Sequence, residues 1–396
     1  MSELLATIDP TNDLSLYVHV PFCHSKCAYC AFYSLEGVGA SEKEAYVQQL
    51  VKEVRLVVSR RKAPFTTVFI GGGDPGLLSL DQLTYLVAEI TQLGHAIEFT
   101  MEVNPLSVRN ELKELHQGGL TRLSVGIESL HPQHLNTLGR NATLQQTLVA
   151  LEIAKQLPFD LNCDLITCIP GQSPTEAVLD IQQLVDLAHP QHISLYNLTM
   201  EEGTLLAALA SQGELEVPSV EQEETILRHC WDTLQQLGYE QYEVSNFAKA
   251  PAHRCLHNLR YWHLNDYIGL GPSAVGTIAI GPQANRFSGR NDVAAYLKEP
   301  VFGIYEMENL RTEVCMEEVL LVGLRTKDGI SKKMWKKRFG IDFDRQFASQ
   351  LDQLESMETQ LLHNDALSIC LTTDGLMLSD SIIKVLLRAI EVPLDS

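Results

Sequence analysis

The chain is short of positive charge: 30 Lys and Arg stand against 50 Asp and Glu over 396 residues, a formal net charge of −20. Such a surface repels polyanions, which excludes nucleic acid as the expected main partner, although a local basic patch can still take an anionic small molecule. No stretch approaches the roughly 18 uninterrupted apolar residues that a membrane span needs. The opening MSELLATIDPTNDL lacks a basic segment followed by an apolar one, so it does not read as a secretion signal, and the cytoplasm is the expected compartment. Low-complexity tracts and long internal repeats are missing too. Hydrophobic residues at 45% and charged residues at 20% exclude wholesale disorder, and the length predicts a large body with a smaller appendage. The nine cysteines are an odd number, and in a reducing compartment thiols serve metals, chemistry or packing rather than bridges.

From Leu14 to Pro300, short β-branched runs alternate with stretches of helical period, the pattern of an α/β fold with a mostly parallel sheet. Six runs predict strands: Leu14–Val20, Thr66–Ile70, Ile97–Val103, Leu120–Gly126, Phe159–Ile166 and His192–Leu198. Helices are expected over Ser41–Arg61, Ser79–Leu93, Ser107–Gln117, Thr143–Leu157 and Ser173–Leu187, several opening on Ser or Thr as N-caps, with Ser41 and Glu44 in capping-box spacing. Six β/α units give an incomplete barrel or a strongly curved open sheet. Ligands of such folds bind at the carboxyl ends of the strands, where the loops after five of the runs converge. Past Pro300 the pattern changes. Met307–Arg325 reads as helical and Ser331–Phe339 as a basic solvated helix face. The tail mixes short helices with two β-like pieces, a winged-helix-like appendage over 301–396 beside a core over 1–300.

Three cysteines fall within eight residues, Cys23, Cys27 and Cys30, in a C-x3-C-x2-C run just after the first strand; the other six are scattered. Three close thiolates can each hold one iron of a cubane cluster and leave the fourth iron open to a ligand. A structural zinc site would need a fourth ligand, which His24 is badly placed to supply.

The run and its surroundings resemble the radical SAM superfamily, whose three-cysteine motif binds a [4Fe–4S] cluster chelated by S-adenosylmethionine (SAM). The likeness extends through Tyr17–Cys23, Gly71–Pro75, Met101–Pro105, Arg122–Ser129, Leu138–Arg140, Asp164–Ile166, Ile169–Gln172 and His192–Tyr196, in the order of the coproporphyrinogen-oxidase-like branch. It implies a partial (β/α)6 radical SAM barrel, cluster ligation by Cys23, Cys27 and Cys30, and SAM contacts at Tyr17, Tyr29, Gly72, Gly73, Asp74, Glu102, Glu128, Arg140 and Asp164. Glycines let a backbone approach a ligand closely, and Arg140 suits bidentate binding of a carboxylate. Four positions depart from the branch: Asp74 for a usual Thr, Glu128 for Gln, Ala142 for His and Cys168 for Gly. The two added carboxylates oppose the cofactor's own unless Arg140 or the sulfonium compensates.

Two members of the branch compete. The oxygen-independent coproporphyrinogen III oxidase carries a further cysteine two positions after the third, where this chain has Ala31-Phe32, and a longer N-terminal extension. His257-Asn258-Leu259-Arg260-Tyr261-Trp262 resembles the HNxxYW signature of HemW-type heme chaperones, within a region of about 240–300. That likeness implies heme as ligand, with His257, Asn258, Tyr261 and Trp262 as candidate heme residues and His257 as candidate axial ligand. A hydrogen-bonded packing cluster is the alternative, and His253, Cys255 and His263 are rival ligands. The resemblance thus implies [4Fe–4S], SAM and heme as cofactors and recipient heme proteins as partners, membrane-associated respiratory enzymes among them. It implies no coproporphyrinogen oxidase activity and leaves a homodimer open. The rival readings are the oxidase itself and a non-catalytic cluster protein.

Overall fold

Along six strands polar and apolar residues alternate, and the fold uses the alternation in one way throughout. The computed structural model describes residues 8–391; residues 1–7, part of the stretch read for a secretion signal, and 392–396 lie outside them. The strands β1 (Ser15–Val20), β2 (Thr67–Gly72), β3 (Glu98–Val103), β4 (Arg122–Glu128), β5 (Asp160–Thr167) and β6 (His192–Asn197) pair in parallel in chain order. Leu16, Val18, Val68, Ile70, Phe99, Met101, Leu123, Val125, Leu161 and Cys163 are buried in the main core under the helices. The alternate set, including Tyr17, Phe69, Thr100, Glu102, Ser124, Asn162 and Asp164, lines the concave side, because successive side chains of a strand point to opposite faces. A polar concave face is what a ligand-holding half-barrel needs.

Helices α1 (Ala40–Val58), α2 (Leu80–Ile90), α3 (Leu144–Ala154) and α4 (Pro174–Ala188) cover the outside. Ser79, Thr143 and Ser173 close capping boxes with Gln82, Gln146 and Glu176, as their spacing predicts. The box expected at Ser41 does not form. Gly39 is the N-cap of α1, so Ser41 lies inside the helix, and Glu44 instead accepts from Gln48 and Gln82. The helix expected over Ser107–Gln117 is also absent. Asn104 and Pro105 start a short 3-10 turn, Arg109 is extended, and a second 3-10 segment follows at Asn110–His116.

The sheet holds more than six β/α units. β7 (Glu240–Gln241) and β8 (Asn246–Ala248) extend it antiparallel beyond β6, after α5 (Val220–Gln236). At the other side, past the short helix α6 (Leu256–Trp262), β9 (Tyr267–Leu270) lies parallel to β1, a seventh parallel strand that the sequence pattern did not reveal. β10 (Val275–Ile280), β11 (Gln283–Gly289) and β12 (Tyr305–Leu310) then run antiparallel to the edge. The first residues of the expected helical stretch Met307–Arg325 are therefore strand, and the helix occupies Thr312–Gly323. The remaining region is winged-helix-like: helices Thr312–Gly323, Lys332–Phe339 and Ala348–Glu355 stand with a three-stranded antiparallel sheet of Ile330–Ser331, Ser368–Leu371 and Leu362–Asn364. Within the basic helix, Lys332 and Lys336 pair with Asp344 and Asp342.

At the end of β5 the chain turns through Cys168, buried and with φ of +60°, in the left-handed region that disfavours a Cβ. This explains why glycine is the usual residue of the branch there. Cys168→Gly is expected to change unfolding free energy by less than about 1 kcal/mol, lost burial offsetting relieved strain, whereas Cys168→Val should cost about 2 kcal/mol or more. Chemical denaturation of the three proteins measures the contrast.

Candidate functional site

The cysteine loop is built before any metal enters it. Phe22–Cys23 pairs in parallel with Leu35–Glu36 and pinches the loop at its base. Inside it, the Lys26 amide donates to Glu36 (2.6 Å), the Ala28 amide to the Leu138 carbonyl (2.9 Å), and the Leu206 amide to the Ala28 carbonyl (2.9 Å). Gly139, at φ +67°, permits the Leu138 contact, since a Cβ there would meet the Ala28 nitrogen at 2.9 Å. Gly73 has the same function on the other side, where a Cβ would meet the Phe22 carbonyl oxygen at 2.5 Å and Cys23 Sγ at 3.0 Å.

Cys23, Cys27 and Cys30 are free and half-buried. Burial pushes the Cys23 thiol up to about 11 and raises that of Cys30, so a metal must displace protons to bind. Arg140 Nη1 lies 3.4 Å from Cys27 Sγ, a cation placed to compensate a thiolate. Among the described residues no three Cys, His, Asp or Glu side chains converge as the ligands of one metal ion. A cubane cluster, unlike a single ion, distributes its protein sulfurs over three separate irons. Three thiols on one pinned loop, a side-chain-free wall at Gly73 and a nearby guanidinium fit a [4Fe–4S] cluster.

Behind the loop, Glu102, Glu128 and Asp164 crowd the carboxyl ends of β3, β4 and β5. Burial, and then the other carboxylates, push Glu102 up to about 8; burial pushes Glu128 up to about 7 and raises Asp164, while Arg140 pulls both of these down. Glu102 accepts from the Gly72 amide (3.1 Å), Asp164 from Ser124 (2.9 Å) and Asn162 (2.8 Å), and Tyr29 lies beside Glu128. Arg140 reaches the Gly126 carbonyl at 2.5 Å and Glu128 at 3.5 Å. Glu128 follows a break in the β4–β5 register and has φ of +66°, a strained backbone that aims its carboxylate at Arg140. Tyr17 sits near Glu102, its hydroxyl 2.9 Å from His19 Nδ1. Three crowded acids, two of them offset by one guanidinium, make a pocket that favours a ligand bearing positive charge and hydroxyl donors.

Asp74 is placed differently from that group. Its carboxylate accepts from the Gly76 and Asn104 amides (3.1 Å each) and from Ser107 (2.5 Å), with His24 at 3.8 Å. It caps the turn after β2, and its negative charge helps raise the Cys23 thiol. Ser124 and Asn162, which hold Asp164, escaped the sequence reading; the period-two polar pattern of β4 and β5 was the signal.

The candidate heme residues lie at the other end of the barrel. His257 lies in α6 at the amino ends of the strands, away from the cysteine loop, fully buried. Its Nδ1 is 2.8 Å from Thr67 Oγ1 and its Nε2 2.8 Å from Tyr261 OH, and its amide donates to Glu98 (2.8 Å). Burial lowers it to about 3. Both ring nitrogens of His257 are engaged in a packing cluster, so an iron ligand at this position would have to displace Thr67 or Tyr261. Tyr261 is engaged in that cluster, Trp262 is half-buried at the end of α6, and Asn258 faces the barrel interior. His253 is held by Asp160 (3.0 Å) and Cys255 is buried beside Glu98 (3.6 Å); His263 is exposed.

Residues 17–184 match the radical SAM superfamily and 310–378 the HemN C-terminal domain. The heme chaperone HemW of Lactococcus lactis is 31% identical over 93% of this chain and 96% of its own length, and HemW of Bacillus subtilis 31% over 93% and 97%. The chain belongs to the HemW family of radical SAM proteins. HemW of Escherichia coli is 36% identical over 67% of this chain and 71% of its own. The fold of the HemW-family chain matches that of E. coli coproporphyrinogen III oxidase, with a TM-score of 0.78 at 21% identity over 97% of this chain and 92% of that one. Its family cofactors, a [4Fe–4S] cluster and SAM, agree with the donors found at the mouth of the barrel.

Proposed function

We propose that this protein is a heme chaperone that carries a [4Fe–4S] cluster and SAM, takes up heme and hands it to heme proteins of the cytoplasm or of membrane-associated respiratory enzymes. The observation that carries this reading is the identity to HemW chaperones along almost the whole of both chains. Among the described residues no helix is long and apolar enough to cross a membrane, so contact with membrane partners is peripheral in this proposal.

Cys23, Cys27 and Cys30 hold the cluster in this reading. Tyr17, Tyr29, Gly72, Gly73, Glu102, Glu128, Arg140 and Asp164 surround SAM, and Asp74 shapes the loop behind them. The cluster supplies an electron and an open iron when bound. This chain's own residues do the rest: Glu102 and Asp164 accept from cationic and hydroxyl donors, Arg140 fixes a carboxylate and offsets Glu128, and the packing of Leu206 on Ala28 holds the loop in place. In this reading the core domain is followed by the small appendage after about residue 300, with β12, the last strand of the large sheet, between them.

Purified protein mixed anaerobically with heme is expected to acquire a Soret band and to leave coproporphyrinogen III unconverted. The His257→Asn variant is expected to keep the wild-type Soret maximum, because its ring is not an iron ligand. Conversion of coproporphyrinogen III to protoporphyrinogen IX would replace the chaperone reading by the oxidase one.

A further inference from the structure

Beneath Glu102 the barrel interior holds a cavity of about 60 Å³, lined among others by Thr100, Glu102, Arg122, Ser124, His192 and Asn258. Glu102 belongs to the SAM pocket above, whereas Asn258 comes from α6, the helix of the heme-chaperone signature. Polar atoms of the lining residues are left over. Arg122 Nε and Nη1 and Thr100 Oγ1 are buried with no protein partner, and the Asn258 carboxamide makes no hydrogen bond to another described side chain. Arg122 is anchored on its other edge by Glu98 at 3.3 Å and the His253 carbonyl at 2.9 Å. Buried donors of this kind are met by ordered water where a polar cavity gives it room, and the volume suits about two molecules.

We propose that two ordered waters fill this cavity and link Asn258 and Arg122 to Glu102, which makes Asn258 a positioning residue of the SAM site rather than a heme contact. The hydrogen-bond polarity runs consistently along the chain. Arg122 only donates, a water passes the donation on, the amide of Asn258 both accepts and donates, and the carboxylate of Glu102 only accepts. The relay holds Glu102 oriented toward a ligand in the pocket, and it couples α6 to SAM through the inside of the barrel. The inference rests on the reading of Glu102 as a SAM contact.

The test uses cluster-loaded protein and equilibrium titration with SAM, beside iron and sulfide analysis and heme uptake. Asn258→Leu, which fills and dries the cavity, is expected to weaken SAM binding about tenfold, with iron, sulfide and heme uptake unchanged. Asn258→Ser, which keeps a polar group and room for water, should stay within about threefold of wild type. Glu102→Gln serves as the control. If it binds SAM as tightly as wild type, the SAM reading of Glu102 falls and the relay with it. If Glu102→Gln weakens binding while Asn258→Leu retains wild-type affinity, the relay alone is overturned. Loss of heme uptake by Asn258→Leu at intact SAM affinity would return Asn258 to heme and overturn the proposal as well.

Discussion

Replacing Arg140 by methionine is expected to weaken SAM binding at least about 100-fold in cluster-loaded protein, and to lower the thermal stability of the cluster-free form. Arg140 is the cation that offsets both Glu128 and Asp164, and its side chain is almost fully buried. One guanidinium serves three groups at once: the Gly126 carbonyl, the Glu128 carboxylate and Cys27 Sγ. Without it Glu128 takes up a proton and the pocket loses a charge partner for a carboxylate ligand. Arg140→Lys should recover little, since a point charge on a flexible stem cannot span the three. Wild-type affinity in the methionine variant would remove Arg140 from the binding site.

At pH 8, Glu53→Gln is expected to raise the unfolding free energy by about 3 kcal/mol, and at pH 5 by almost nothing. Glu53 of α1 is fully buried, and burial pushes its carboxyl up to about 7 despite hydrogen bonds from Tyr305 (3.0 Å) and the Gly271 amide (3.1 Å). The folded form therefore binds a proton that the unfolded chain has already released at its ordinary value of 4.5. Stability contributed by Glu53 is complete below that value and is lost as pH rises to about 7, where the loss levels off. The amide of glutamine carries no charge and keeps an oxygen that can accept from Tyr305 and the Gly271 amide. Urea unfolding of both proteins at the two pH values measures the difference; an equal gain at pH 5 and pH 8 would mean packing, not charge, is responsible.

The cysteine loop and the six strands were legible because local signals coincide there: thiol spacing, apolar runs and caps at Ser79, Thr143 and Ser173. β9 was not legible, since four residues carry little pattern and its partner is distant in the chain. The 3-10 segment at Asn110–His116 shows how apolar spacing can imitate a helix when a proline and an extended Arg109 interrupt the backbone bonds. The position of His257 was not legible for a different reason. A motif names residue types but not which end of a barrel they occupy, and the register of Thr67 and Glu98 puts α6 at the end opposite the cysteines. Glu53 and Arg122 left no sequence signal, because one acid in an amphipathic helix and one arginine in a strand are ordinary until their surroundings are known.

The pairing of Ser15 with Tyr267 sets a condition on biosynthesis. At ordinary translation speeds of about 5–20 residues per second, the first strand waits on the order of ten seconds or more for its neighbour to leave the ribosome. Throughout that interval one edge of the nascent sheet stands open beside three reactive thiols. Iron loading that precedes the arrival of the late strand would occur on a half-walled scaffold, whereas loading afterwards must enter through the finished mouth.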